Sequence, residues 1–157
     1  MIPLQGIDIL SYQSNLRIGK DLRGMPTVFD PLRKKHLRAT PEEVVRQLWI
    51  IYFLEQLGVN KRLMSVERAF QIHGMIRRFD MVIFDKSTHP VLLAEFKGPD
   101  IPIRQISFDQ IARYNMQLQV PYSLISNGTQ HYCFRIDNEK KDYIFQDQLP
   151  EFGSSDH

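Results

Sequence analysis

A chain of 157 residues with 43% hydrophobic and 24% charged residues has the make-up of a folded protein, which excludes extended disorder, and a second independent domain would be a tight fit. Twenty Lys and Arg against 18 Asp and Glu leave a formal charge of +2, too little for bulk charge to name a polyanionic partner. A single Cys133 and five scattered His exclude an internal disulfide and argue against structural zinc, so any metal is expected on oxygen ligands.

In chain order, Leu16-Arg17-Ile18 and Thr27-Val28-Phe29 flank a stretch containing Gly19, Gly24 and Pro26, which predicts a small leading β-hairpin inside an N-terminal extension over residues 1–38. Arg33, Lys34, Lys35, His36 and Arg38 follow within six positions, either to neutralise phosphates or to stand as solvated loop charges. Thr40 then suits a helix N-cap, Pro41 the first helical position and Glu43 the reciprocal place in a capping box. Val44, Val45, Leu48, Trp49, Ile51, Tyr52 and Leu54 form the apolar face of that helix, and Gly58 fits its stop. Leu63 to Ile72 reads as a strand alternating through Val66, Arg68 and Phe70, and His73-Gly74 turns it toward a second strand, Phe79 to Phe84. The polar turn Asp85 to His89 leads into a third strand, Pro90 to Lys97, so a meander is expected.

Gly98-Pro99-Asp100-Ile101-Pro102 breaks the ladder, and Phe108, Ile111, Ala112 and Leu118 recur at helical spacing. Pro121 to Ser126 and Gln130 to Ile136 read as strands around the Asn127-Gly128 turn, with Tyr143-Ile144-Phe145 a further strand and residues 151–157 a mobile tail. The order of helix, three strands, helix and two strands predicts a single α/β domain, a mixed β-sheet with helices packed against it.

Two carboxylates stand out. Asp80 and Glu95 lie at the ends of adjacent strands, so antiparallel pairing brings them together. Glu95 and Lys97 point to one face of their strand while Phe96 points to the other. Magnesium takes hard oxygen ligands, commonly one or two carboxylates together with waters and phosphate oxygens. On this reading Asp80 and Glu95 supply the carboxylates, the Phe96 backbone carbonyl a further ligand, and Lys97 orients the attacking water or stabilises the transition state. The alternative is that Glu95 and Lys97 form an ordinary salt bridge.

From Asp30 to about Tyr143 the chain resembles the N-terminal nuclease domain of type I restriction enzyme R subunits, within the PD-(D/E)xK superfamily that includes RecB-type nucleases and Holliday-junction resolvases. The matching pieces are Thr40-Pro41-Glu42-Glu43-Val44-Val45-Arg46-Gln47, Arg78-Phe79-Asp80, Leu92-Leu93-Ala94-Glu95-Phe96-Lys97 and Phe108-Asp109-Gln110-Ile111-Ala112-Arg113-Tyr114. The resemblance implies a restriction-endonuclease-like fold, Asp80 and Glu95 as Mg2+ (or Mn2+) ligands, Lys97 as a catalytic residue, and Gln110 with Tyr114 as a Gln-x-x-x-Tyr motif meeting DNA. It also implies a helix glutamate in the site, Glu43 ahead of Glu42, although Glu43 equally fits the capping box with Thr40. Gln110 likewise suits a capping pair with Ser107. Phe79 stands where the superfamily name has proline.

The function expected is a magnesium-dependent DNA endonuclease hydrolysing phosphodiesters through a metal-activated water, with Arg33, Lys34, Lys35 and Arg78 on the DNA. The competing class is a non-catalytic nucleic-acid- or protein-binding module that retains the fold. R subunits carry an ATP-driven translocase, for which this stretch has neither room nor a Gly-x-x-x-x-Gly-Lys-Ser/Thr loop, so a motor or DNA-recognition subunit in trans is expected. Double-strand cleavage by a single-site chain further calls for a homodimer. No apolar run approaches the roughly 20 residues of a membrane helix and no signal-peptide layout is present, so no membrane and a cytoplasmic location are expected.

Overall fold

In a computed structural model, which describes residues 1–153, the chain builds two sheets and two principal helices. A 3-10 turn at Ile9–Asn15 precedes β1 (Ile18–Lys20), β2 (Pro26–Asp30) and β3 (Lys35–Arg38), which form an antiparallel sheet in that order. The expected hairpin therefore has a third strand, recruited from the basic run. Four residues after β2 the chain turns at Lys34, in the left-handed region at φ 54°, and Asp30 pairs with Lys35. Thr27 to Asp30 supply edge bonds that a charged β3 can satisfy, so charge did not keep this segment a loop.

Helix α1 spans Pro41–Ile51 and runs on through a π turn at Tyr52–Gln56 before Gly58, at φ 63°, ends it. Thr40 Oγ1 accepts from Glu43 N at 3.2 Å, as an N-cap should. The reciprocal half of the capping box is absent: Thr40 N donates to Arg38 O at 2.9 Å, which leaves the Glu43 carboxylate for other partners.

The larger sheet has the order β4 (Met64–Ile72), β5 (Met75–Phe84), β6 (Pro90–Phe96), β7 (Tyr122–Ser126), β8 (His131–Asp137) and β9 (Asp142–Gln146). Its pairs are antiparallel except β6 with β7, and that parallel step needs the long crossover which α2 (Gln105–Leu118) provides. One face packs under α1, where Val45, Leu48 and Trp49 meet Met81, Ile83, Leu92, Ala94, Phe96 and Cys133. The other packs under α2 in two patches, Phe108 and Ile111 over Ile125, Tyr132 and Phe134, and Tyr114 and Leu118 over Phe79, Val82 and Leu93. Among the described residues no helix is long and apolar enough to cross a membrane. Of the tail expected to be mobile, Phe152 packs its ring edge-on against Phe53 at 5.6 Å, and residues 154–157 lie outside the described residues.

The alternation expected over Leu63 to Ile72 does not persist. Met64 and Val66 join the α1 side, whereas Phe70 and Ile72, of the same parity, join the α2 side. In β5, Met81 and Ile83 face α1 while Phe79 faces α2. Both strands therefore change faces at one level. The register pairs Val66 with Met81 and Arg68 with Phe79, and between them lie Glu67, in the left-handed region at φ 56°, and Asp80. Such a backbone costs a non-glycine residue on the order of 1 kcal/mol or more and signals a local demand other than sheet regularity.

Phe108 is fully buried and rings from Tyr132, Phe134 and Phe145 surround it at 5.3–5.5 Å. Phe108→Ala is expected to destabilise the protein by about 3–5 kcal/mol in urea unfolding followed by circular dichroism. A cost below about 1 kcal/mol would show that α2 is not anchored by this ring.

Candidate active site

The β5–β6 ladder runs from Phe84 to the pair Met81 and Ala94, and the next facing residues are Asp80 and Glu95. There the strands part. Phe96 N donates to Asp80 Oδ2 at 2.7 Å, so a side-chain carboxylate replaces the backbone acceptor that a continued ladder would offer. On its other edge β6 stays paired, with Lys97 N donating to Ser126 O at 2.9 Å. Phe96 stacks on Trp49 at 6.3 Å and 18° in the α1-side core, which leaves Glu95 and Lys97 to the opposite side. Gly98 eases the approach: a Cβ there would stand 3.1 Å from Pro41 Cβ, a tight contact that glycine spares where the end of β6 runs against the start of α1.

Burial, then the adjacent Asp80 charge and a hydrogen bond to Asp80, push the Glu95 carboxyl up to about 9, with Glu42 adding to the effect. Glu42, on the first turn of α1, is also raised by burial and by Asp80, against the opposing pull of Arg46 and Lys97. Glu42 thus shares the field of Asp80, Glu95 and Lys97. Glu43 faces elsewhere: its carboxylate takes Arg33 Nη2 at 2.9 Å, Arg46 Nε at 3.3 Å and Gln47 Nε2 at 3.3 Å.

Arg33 is bound internally, because its Nε also meets Asp30 Oδ2 at 2.6 Å. Burial would raise the pKa of Asp30, yet bonds from Arg33, Gln47 and Leu32 N hold it below the usual range. Of the basic run, Lys34, Lys35, His36 and Arg38 remain exposed.

A cleft of about 260 Å3 opens on the α2 side, lined by Arg77, Arg78, Glu95, Lys97, Gln110 and Tyr114 over a floor of Phe79, Ile111 and Ile125. Helix α2 begins at Gln105 with Arg104 as N-cap and no side-chain cap bond. Ser107 therefore sits inside the helix, so the alternative reading of a capping pair with Gln110 does not apply, and Gln110 lines the cleft. Tyr114, one turn on, is held edge-on to Phe79 at 6.3 Å with the Arg77 guanidinium 5.4 Å from its ring centre.

Sequence reasoning passed over Arg46, whose side chain is only 6% exposed and which reaches Glu67 Oε1 at 2.6 Å and Asp80 Oδ1 at 3.6 Å. The available signal was an arginine in the apolar run Val44 to Ile51, where a charge must find partners. Among the described residues no group of three or more His, Cys, Asp or Glu is gathered as a metal cage. Two carboxylates meeting at Asp80 and Glu95 nevertheless fit a hard divalent ion that keeps several waters, rather than a thiolate or imidazole metal.

The model of the type I restriction enzyme R protein N terminus (HSDR_N) matches residues 41–150, from the start of α1 to beyond β9. The chain belongs to that family. A solved fragment assigned as an HsdR subunit of a type I restriction enzyme from Vibrio vulnificus YJ016 has the same fold, with a TM-score of 0.50 at 17% identity. The alignment covers 69% of this chain and 23% of that one, so the chain spans under a quarter of the relative's length. No curated protein matches the sequence. In this R-protein N-terminal domain the small sheet lies ahead of the matched residues and is tied to them by Arg33, between Asp30 and Glu43.

Because folding raises the Glu95 pKa from 4.5 toward about 9, the folded state holds more protons than the unfolded one across that window. Stability of the metal-free protein should consequently fall as pH rises from about 5 to about 9. In melts with chelator present, Glu95→Gln is expected to flatten this slope and to be the more stable protein at the alkaline end. Parallel slopes for the two proteins would contradict the assigned burial.

Proposed function

We propose that this chain is the DNA-cleaving module of a type I restriction system, a Mg2+- or Mn2+-dependent endodeoxyribonuclease. The observation that supports it most is the meeting of Asp80 and Glu95 where β5 and β6 part, with Lys97 in the same cleft as Gln110 and Tyr114. A bound divalent ion would neutralise charge on the scissile phosphate and lower the pKa of an attacking water. Asp80 and Glu95 would hold it. The Phe96 carbonyl would assist, since it lies on the same strand edge as the Phe96 N–H that Asp80 accepts. Of the two first-helix glutamates, Glu42 would join this group, because Asp80 and Lys97 act on its carboxyl while Glu43 is engaged by Arg33, Arg46 and Gln47.

The chain's own residues perform the rest. The Lys97 ammonium orients the nucleophilic water and meets the negative charge that builds on the phosphate. Arg77 and Arg78 neutralise flanking phosphates, and the Gln110 amide and Tyr114 hydroxyl, fixed one turn apart on a rigid helix, set the register of the backbone in the cleft. Lys34 and Lys35, both exposed, would add phosphate contacts of their own, whereas Arg33 serves the internal network. A translocating motor and a recognition subunit deliver the DNA, with two copies of the domain cutting the two strands.

Supercoiled, linear and branched DNA with Mg2+ or Mn2+ provides the test. Wild type should cleave, and Lys97→Ala and Asp80→Asn should each lose about 100-fold or more in rate. Cleavage that is absent, or equal in wild type and variants, overturns the reading. In binding assays without metal, Arg77→Ala should weaken affinity for all DNA sequences alike and reduce the salt slope by about 1. An unchanged slope would remove Arg77 from the phosphate path.

A further inference from the structure

We propose that Arg46 stands in the place of a second divalent cation beside Asp80, so that the site takes a single metal ion, and that Glu67 is the positioning residue that keeps Arg46 there. This rests on the metal-dependent reading above and deepens it. Three carboxylates from three elements converge on one buried guanidinium: Glu43 Oε2 lies 3.3 Å from Nε, Glu67 Oε1 2.6 Å from Nη1, and Asp80 Oδ1 3.6 Å from Nη2. That is the charge environment which two-metal sites provide for a second ion, where neighbouring metals share a carboxylate at roughly 3.5–4 Å separation.

The two Asp80 oxygens are already divided. Oδ2 accepts the Phe96 N–H at 2.7 Å, and Oδ1 faces Arg46. A second ion bridged by Asp80 would have to expel a guanidinium that keeps its charge at any physiological pH and that is only 6% exposed. A first ion shared with Glu95 would enter from the Glu95 side, where the cleft opens and its cations, Lys97, Arg77 and Arg78, line an accessible space rather than a buried ion pair.

Glu67 controls the arrangement. Of the three contacts to Arg46, the bond from Nη1 to Glu67 has hydrogen-bond geometry, whereas Nε is left without a hydrogen bond and Nη2 makes only a long ion-pair contact. Glu67 also occupies a left-handed backbone position opposite Asp80, where both strands switch faces. That strain gives nothing to the ladder. It brings a carboxylate to the one donor that would otherwise turn onto Asp80.

Calorimetric titration of the full chain with MnCl2, and separately MgCl2, tests this, with electron paramagnetic resonance on the Mn2+ form. Wild type should bind one ion. Arg46→Met should bind two, with a spin-coupled Mn2+ pair in the spectrum, and Arg46→Lys should return the count to one. Glu67→Gln should keep one ion but bind it about tenfold more weakly, as Arg46 swings toward Asp80. In cleavage assays the metal concentration at half-maximal rate should rise by a similar factor while kcat falls less.

Two ions in wild type, no ion in wild type, or one ion in a folded Arg46→Met each overturn the proposal. So does a Glu67→Gln whose affinity is unchanged, and this arm holds if Arg46→Met fails to fold. The fate of the nuclease reading is separate. Cleavage that depends on Lys97 with two ions bound would leave that reading standing and this one refuted.

Discussion

Carboxylates crowded at the open end of two central strands repel one another and resist burial, and much of the surrounding structure answers that constraint. Asp80, Glu95 and Glu42 lie within one another's fields, and Glu43 and Glu67 stand one guanidinium away. Free of a counter-charge, such a group protonates, which is the direction in which Glu95 is pushed. Arg46 offsets part of the excess from the α1 side and Lys97 from the α2 side. The cleft beside this group is itself lined by Arg77 and Arg78, so acids and bases meet at one opening. A salt bridge evolved for stability alone would pair one acid with one base and would not gather Glu95 and Glu42 beside Asp80 in a partly open site.

Sheet geometry and site chemistry meet in the change of faces at Glu67 and Asp80. A strand that kept strict alternation would put Asp80 on the face of Val82, beneath α2. The Asp80 carboxylate is instead turned toward Phe96 N, where Arg46 of α1 also reaches it. Phe96, clamped on Trp49, then fixes Glu95 and Lys97 on the cleft side. Packing and chemistry are thus set by one tripeptide, with its middle residue serving the core and its outer two the site.

Most elements were legible in the sequence because their signals are local. The Thr40-Pro41 helix start, the Asp85 to His89 turn, the Asn127-Gly128 turn and the apolar run Val91 to Ala94 each carry their own punctuation, and each stands where that punctuation puts it. Asp80 and Glu95 were legible as neighbouring strand ends, but their facing register also depends on a shift between Ile83 and Phe84, where the pairing passes from Phe84 with Pro90 to Ile83 with Leu92. What escaped is non-local. The capping-box pattern assigns Glu43 to Thr40, but the carboxylate is drawn to Arg33, which arrives from a different sheet. Arg46 reads as an interruption in an apolar helix until Glu67, 21 positions on, is seen beside it. Glu67 itself carries no local signal for a left-handed backbone, since neither glycine nor asparagine marks the place.

The chain of charges from Asp30 through Arg33, Glu43 and Arg46 to Asp80 gives the small N-terminal sheet a reason to be where it is. Arg46 donates to Glu67 and contacts Asp80, so its orientation depends on how strongly Glu43 competes for it. Glu43 is in turn engaged by Arg33, whose position is set by a fully buried Asp30 at the end of β2. Each link is a buried or half-buried ion pair, and removing one partner of such a pair leaves an uncompensated charge rather than a neutral gap. The sheet ahead of the family-matched residues is therefore linked to Asp80 through Arg33, Glu43 and Arg46, and a change in any of these charges is felt at the others.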